Sequence, residues 1–178
     1  MINPKIDKNG NKSWYNQKDQ LHREDGPAIE YSNGSKEWYQ HDKWHREDGP
    51  ALEYADGTKR WYRNGQYHRD DGPAIEDVSG TKKWYRNGQY HREDGPAAEY
   101  ADGSKVWCQH DQRHREDGPA IEDANGDKYW YQHDKLHRVD GPAVDHTNGI
   151  QQWWFKGEQL KVSSQEEFIR YLKLKAFW

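Results

Sequence analysis

The sequence repeats with a period of 23 residues along most of its length. One histidine and one tryptophan recur at this spacing in six successive units. The histidines are His22, His45, His68, His91, His114 and His137, and the tryptophans are Trp38, Trp61, Trp84, Trp107, Trp130 and Trp153. Units of this kind bury their apolar side chains against their neighbours. The period therefore predicts a stacked array whose working part is a surface.

Aromatic residues must supply much of the buried area of such an array. Only 31% of the chain is hydrophobic, and its mean hydropathy of -1.51 is close to that of a disordered segment. Ten Trp and twelve Tyr argue against disorder, because each ring can remove roughly 150 to 250 Å² from water. Since adjacent strand residues point to opposite faces, we expect the Trp series to form the core and the Tyr series after it a half-exposed second face.

Each unit contains two strand-like runs separated by turn residues. The unit 36–58 turns at residues 41–42, and later units carry Asn-Gly at the matching positions 64–65 and 87–88. Asn-Gly is the preferred two-residue hairpin turn. The return run meets Asp-Gly-Pro at 48–50, which predicts a bend or bulge, because proline donates no ladder hydrogen bond.

The two ends depart from the period, as terminal capping units do. Residues 164–176 have helical spacing of apolar side chains after a capping-box pattern, and we expect a helix there that covers the last sheet edge. The predicted fold is all-β: an elongated, twisted antiparallel β-hairpin repeat array with a short C-terminal capping α-helix. The expected organisation is a lead-in at 1–11, one repeat domain at 12–160 and the capping segment at 161–178.

Charge and cysteine content exclude several classes of function. The net charge is -4, from 27 basic and 31 acidic residues that alternate within the units, which disfavours generic nucleic-acid binding. No apolar run approaches a membrane span, and the first residues lack the apolar region of a signal peptide, so we expect a cytoplasmic protein without membrane contact. The one cysteine, Cys108, stands where other units have Tyr and is interpreted as a packing substitution.

The string Trp-Tyr-Arg-Asn-Gly-Gln-Tyr-His at 61–68, with Gly72 and Gly80 after it, resembles the MORN repeat. The resemblance covers about residues 12–153. After the histidine the chain departs from the usual form, with Arg-acid-Asp-Gly-Pro-Ala in place of glycines, a variant that resembles repeats carried by bacteriophages and large viruses. The resemblance implies a scaffold or binding role, and a bacteriophage or mobile-element inhibitor of a bacterial defence or toxin protein is the specific form we expect.

The recurring His-Arg-acid-Asp cluster contains the side-chain types that could act as general acids and bases. Six copies favour a structural role over catalysis, because an active site is a single constellation with unlike neighbours. We therefore expect no enzymatic activity, no catalytic residues, no cofactor and no specific metal site. A second interpretation makes the arginines of the cluster anion contacts in a small-ligand (nucleotide) sponge, and these are Arg46, Arg69, Arg92 and Arg115.

The residue before each repeat histidine varies from unit to unit. This position is occupied by Trp44, Tyr67, Tyr90, Arg113 and Leu136. An exposed stripe of such side chains has the composition of a protein interface centre, so we expect these five to bind another protein. The alternatives are that they pack on neighbouring strands, or that the chain self-associates as a structural scaffold.

Overall fold

Each of the five 23-residue repeats between residues 36 and 150 forms four short strands that belong to two kinds of sheet. In the repeat 36–58, the strands at 36–37 and 52–53 join a long antiparallel sheet, which we call the ladder. The strands at 39–40 and 43–44 pair with each other as a separate hairpin. The sequence predicts two strands per repeat, and the structure has four, because the backbone leaves the ladder at each Trp.

The computed structural model describes residues 3–176, which divide into two compact units on either side of the bond between residues 90 and 91. In the first unit the ladder strands are β1 (Lys5–Ile6), β2 (Lys12–Ser13), β3 (Ile29–Glu30), β4 (Lys36–Glu37), β7 (Leu52–Glu53), β8 (Lys59–Arg60), β11 (Ile75–Glu76) and β12 (Lys82–Lys83). Its hairpins are β5 (Tyr39–Gln40) with β6 (Lys43–Trp44), β9 (Tyr62–Arg63) with β10 (Gln66–Tyr67), and β13 (Tyr85–Arg86) with β14 (Gln89–Tyr90).

The second unit continues the same pattern and ends in a helix. Its ladder strands are β15 (Ala98–Glu99), β16 (Lys105–Val106), β19 (Ile121–Glu122), β20 (Lys128–Tyr129), β23 (Val144–Asp145), β24 (Gln151–Phe155) and β25 (Glu158–Leu160). Its hairpins are β17 (Cys108–Gln109) with β18 (Gln112–Arg113), and β21 (Tyr131–Gln132) with β22 (Lys135–Leu136), and the helix is α1 (Gln165–Ala176). The ladder is an open, antiparallel, 15-stranded meander, so the predicted all-β class with a C-terminal helix is confirmed.

The tryptophan of each repeat is the point where the chain passes from ladder to hairpin. The backbone N–H of Trp38 donates to the carbonyl of Ala51 at 2.7 Å, whereas the Trp38 carbonyl accepts from the N–H of His45 at 3.1 Å. Residues 47–49 then bend before β7 begins, and Pro50 donates no hydrogen bond. The predicted Asp-Gly-Pro bend is confirmed, and it separates the two sheets.

Opposite charges face each other along the ladder. Glu53 of β7 is the Cα partner of Lys36 on one side and of Lys59 on the other. In the second unit, Lys105 lies in the same way between Glu99 and Glu122. Such cross-strand pairs each stabilise an antiparallel sheet by roughly 0.2 to 1 kcal/mol, which offsets the shortage of aliphatic side chains.

The hairpin turns have the backbone conformation that Asn-Gly predicts. Asn64 and Gly65 both have positive φ, 54° and 82°. His41 and Asp42 adopt the same conformation, at 51° and 62°, although neither is a glycine. The predicted two-residue turns are therefore confirmed in the repeats with His-Asp as well.

The fully buried residue of each repeat is the alanine after the proline, and not the tryptophan. These alanines are 0% exposed, and they are Ala28, Ala51, Ala74, Ala97, Ala120 and Ala143. The repeat Trp is half-buried in the first five units and buried at Trp153. The expectation of a tryptophan core is therefore wrong for most repeats, because the complete burial falls on the small alanine next to the backbone of the Trp, as in the bond from Trp38 N–H to the Ala51 carbonyl.

Helix α1 closes the second unit over its last hairpin, as the sequence predicts. Ser164 caps the helix, since its Oγ accepts from the N–H of Glu167 at 3.2 Å. Phe168 is completely buried, with its ring centroid 5.1 Å from that of Trp153, and Leu160 joins the same cluster. The ends of the predicted segments 1–11 and 161–178 lie outside the described residues, and the strand β1 within 1–11 is a feature that the sequence analysis did not find.

Candidate functional site

The arginine of the repeated cluster lies flat between a tryptophan ring and a glycine. The Arg69 guanidinium carbon is 4.0 Å from the centroid of the Trp61 ring. On its other side is Gly72, where an added Cβ would lie 2.9 Å from the same guanidinium carbon. Glycine is thus required for close approach, since no positive φ is involved here. We call this arrangement the arginine cage.

Hydrogen bonds fix the guanidinium within the cage. Arg69 donates from Nε to Asp71 at 3.0 Å, and from Nη1 to the Pro73 carbonyl at 3.2 Å and to Glu76 at 2.8 Å. The caged arginines that stack on a Trp ring are Arg23, Arg46, Arg69, Arg115 and Arg138. Cation–π stacking and charge-assisted bonds act together here, which makes the cage a strong local brace.

The four predicted anion contacts all make the hydrogen bonds of the cage. Arg46, Arg69, Arg92 and Arg115 are each hydrogen-bonded to an aspartate two residues on and a glutamate seven residues on. The hydrogen bond from Arg46 holds the pKa of Asp48 below its usual value. The chain's own carboxylates occupy the position that an anion would take. The geometry therefore counts against an anion role, which stays a prediction.

The histidine of the cluster joins one repeat to the next. The N–H of Asn87, the first turn residue of the following repeat, donates to His68 Nδ1 at 3.1 Å. The same bond forms from the residue 19 positions after each repeat histidine, at 3.0 to 3.4 Å. We call these bonds the histidine staples. The acceptor nitrogen must be unprotonated, so the proton of the neutral ring is on Nε2.

A second row of bonds between repeats uses side-chain oxygens. The N–H of Ala55 donates to Ser35 Oγ at 3.0 Å, and the N–H of Thr147 donates to Asp127 Oδ1 at 2.8 Å. His146 Nδ1 lies 2.8 Å from the other oxygen of Asp127. The hydrogen bond from Thr147, followed by that from His146, lowers the pKa of Asp127 to about 2. This buried Asp–His contact departs from the Ser or Thr of other repeats.

The predicted partner-binding residues lie on the hairpins and are half-buried. In the first unit they alternate with tyrosines in a continuous row of ring contacts, with centroid distances of 4.2 to 5.7 Å. The row is Tyr39, Trp44, Tyr62, Tyr67, Tyr85 and Tyr90. We call it the aromatic row. The expected exposed stripe is instead half-buried at all five positions, and Trp44 and Tyr67 pack on a ring of the next hairpin.

The second unit breaks the aromatic character of that position. Arg113 lies over the Tyr131 ring at 4.0 Å and pairs with Asp134, and Leu136 faces Tyr131 across its hairpin. Cys108 is buried in the Tyr series, as the sequence predicts, and burial raises the pKa of its thiol to about 11. The position before the repeat histidine is thus aromatic in the first unit, at Trp44, Tyr67 and Tyr90, and not aromatic in the second, at Arg113 and Leu136. The binding role of these five residues stays a prediction.

Grooves lie between the bends of successive repeats within each unit. One of about 550 Å³ is lined by Trp61, His68 and the bends at 46–50 and 69–71. Its counterpart in the second unit, of about 470 Å³, is lined by Trp130, His137 and the bends at 115–119 and 138–140. Exposed carboxylates such as Glu47 and Asp71, 84% and 85% exposed, stand at the first groove. Arginines line the same grooves, so each groove presents charges of both signs.

Neither a metal centre nor a membrane span is found in the part of the chain that the structure describes. Among residues 3–176, no three His, Cys, Asp or Glu side chains converge as metal ligands. Histidines at 41, 110 and 133 instead stack on the preceding staple histidine, with ring centroids 4.4 to 4.5 Å apart. Helix α1 is too short and too polar to cross a bilayer. Compared with known proteins, the sequence matches no family model and no curated protein.

Proposed function

We propose that this protein is a non-enzymatic binding module that recognises another protein through its row of hairpins. The observation that carries the proposal is the aromatic row of the first unit, whose half-buried rings hold one another in place. Rings fixed in this way lose little conformational entropy on binding, which favours aromatic side chains at interface centres. The groups that look catalytic support the same conclusion, since the staples use the histidines to join successive repeats and the cages use the arginines and carboxylates to brace each repeat.

The residue before the repeat histidine changes from repeat to repeat, and this variation supports selective recognition. Trp44, Tyr67 and Tyr90 offer aromatic contacts, whereas Arg113 and Leu136 offer a cation and an aliphatic group. A uniform scaffold would need no such variation. The narrower role, an inhibitor of a bacterial defence or toxin protein encoded by a bacteriophage or mobile element, is supported by the resemblance to MORN-like viral repeats.

The test is capture of the partner by purified protein and by a variant with leucine at three positions of the row. Trp44→Leu, Tyr67→Leu and Tyr90→Leu use the residue that the chain itself carries at Leu136. We expect the triple variant to stay folded and to lose the partner. A matched control, Tyr100→Leu, changes an aromatic residue that is 37% exposed outside the row and should keep the partner. Retention of the partner by a folded triple variant would refute the proposal.

A second candidate function, binding of a small ligand, is favoured by the paired grooves. Their spacing by repeats predicts more than one site per chain, and their exposed carboxylates predict a cation such as a polyamine. Calorimetry with spermidine and with a nucleotide panel distinguishes the two ligand classes. Heat from nucleotides alone would contradict this assignment, and no heat from either would leave protein binding as the function.

A further inference from the structure

Each histidine staple uses an unprotonated imidazole nitrogen as its acceptor, and we propose that the staple of His137 makes the junction between the last hairpin, β24–β25, and the preceding repeat acid-sensitive, so that it opens when the ring takes up a proton. The device is independent of what the protein binds. It rests on one bond geometry that recurs at every repeat histidine from His22 to His137.

The staple cannot survive protonation in its present form. A neutral imidazole has one lone pair, and here the backbone N–H of the next repeat occupies it. Acid adds the second proton at this nitrogen, which turns the acceptor into a donor that faces another donor. The N–H then loses its acceptor in the protein and faces a second donor, which removes the contribution of this hydrogen bond to the closed state. Release of the following turn relieves both problems.

Polar groups also lie close to the other staples. A carboxylate lies 3.2 to 3.9 Å from Nε2 in five of them. These carboxylates belong to Glu24, Glu47, Asp70, Glu93 and Glu116. At three of the same staples a second imidazole packs against the first with the two rings tilted. At His45, Asn64 Oδ1 also lies 3.0 Å from Nδ1.

The staple of His137 gives the clearest case. Lys156 donates its backbone N–H to His137 Nδ1 at 3.0 Å, and the Phe155 ring centroid lies 5.0 Å from the imidazole. Val139 stands where the other repeats have the carboxylate. Burial first, and then the Lys156 charge, lower the pKa of His137. Opening this staple therefore takes up a proton when the pH falls below 6.5, the ordinary histidine value.

Linkage sets the size of the effect. An opening reaction that binds one proton becomes about tenfold more favourable for each pH unit between the open-state and closed-state pKa values. Amide hydrogen exchange, read by NMR as a protection factor, measures that opening. Between pH 7.5 and pH 5 we expect the protection of the Lys156 amide to fall as the pH passes below 6.5, with about tenfold per unit as the upper limit of the slope for one proton. Protection that stays constant over this range would overturn the proposal.

His137→Asn tests the assignment to this ring. The asparagine oxygen replaces Nδ1 as an acceptor and does not titrate, so the Lys156 amide should keep its protection at both pH values. His146→Asn is the control, since His146 forms no histidine staple, and the wild-type slope should remain. A slope that persists in His137→Asn contradicts the proposal. Should that variant not fold, nitrogen NMR of the wild type decides: a proton on Nδ1 of His137 at pH 7.5 would also overturn it.

Discussion

Replacing Gly72 with alanine should change the sign of its effect on stability according to whether Arg69 is present. In the wild type, the new Cβ would lie 2.9 Å from the guanidinium carbon, so Arg69 must leave its place over Trp61 and loosen its bonds to Glu76 and Asp71. Losing part of one cation–π contact and one charge-assisted hydrogen bond should cost about 1 to 2 kcal/mol.

In an Arg69→Ala background the obstruction is gone. Gly72 does not have a positive φ, so alanine suits the backbone there and lowers the entropy of the unfolded chain. Gly72→Ala should then stabilise the protein by about 0.4 to 1 kcal/mol. The two effects together give a coupling free energy of about 2 kcal/mol, a value expected only for groups in contact.

Urea unfolding followed by tryptophan fluorescence measures the four free energies of this cycle. Gly80→Ala is the control, because Gly80 has a φ of 93° and nothing within 4 Å of an added Cβ. Its cost of about 1 to 2 kcal/mol comes from the left-handed backbone and should be equal with and without Arg69. Equal destabilisation by Gly72→Ala in both backgrounds would refute the close-approach explanation of the Asp-Gly-Pro glycine.

Three further changes test other parts of the structure. Ala74→Val should destabilise the protein by about 1 to 3 kcal/mol in urea unfolding, because Ala74 is 0% exposed. Ala124→Val, at an exposed turn, is the control and should have little effect. Equal effects of the two substitutions would contradict an alanine core. Cys108 should resist alkylation at pH 8 until urea unfolds the chain, since its buried thiol has a pKa raised to about 11, and rapid labelling of the folded protein would contradict this. Folding lowers the pKa of Asp127 from 3.8 to about 2, so its ionised carboxylate stabilises the folded state above pH 3.8. This contribution falls as the pH drops from 3.8 towards 2. The melting temperature of Asp127→Asn should therefore change less over that range than the melting temperature of the wild type.

The sequence predicts those parts of the fold that depend on local chemistry. Two-residue turns follow from Asn64-Gly65, and the helix Gln165–Ala176 follows from its cap and apolar spacing, because each signal acts within a few residues. The buried position of Cys108 also follows, since it replaces Tyr in a known register. These features need no knowledge of how repeats stack.

The rest depends on contacts between residues that are distant in the chain. His68 accepts a hydrogen bond from a residue 19 positions away, and no pattern around His68 itself specifies that role. The buried position of each repeat differs from the expected tryptophan for a related reason. Ala74 is completely buried because it lies at the junction of two sheets, which the sequence around it does not specify. A signal was nevertheless present, since the same small residue occupies this position in six repeats of varying sequence.

Direct detection of the histidine staples tests the central claim, that the recurring cluster holds the repeats together. Hydrogen bonds of the N–H···N type give measurable scalar couplings between the two nitrogens. At pH 7.5 we expect couplings from His68 Nδ1 to the Asn87 amide and from His137 Nδ1 to the Lys156 amide, at the 3.1 and 3.0 Å separations of the structure. Absence of both couplings, with Nδ1 carrying a proton in either ring, would contradict the account.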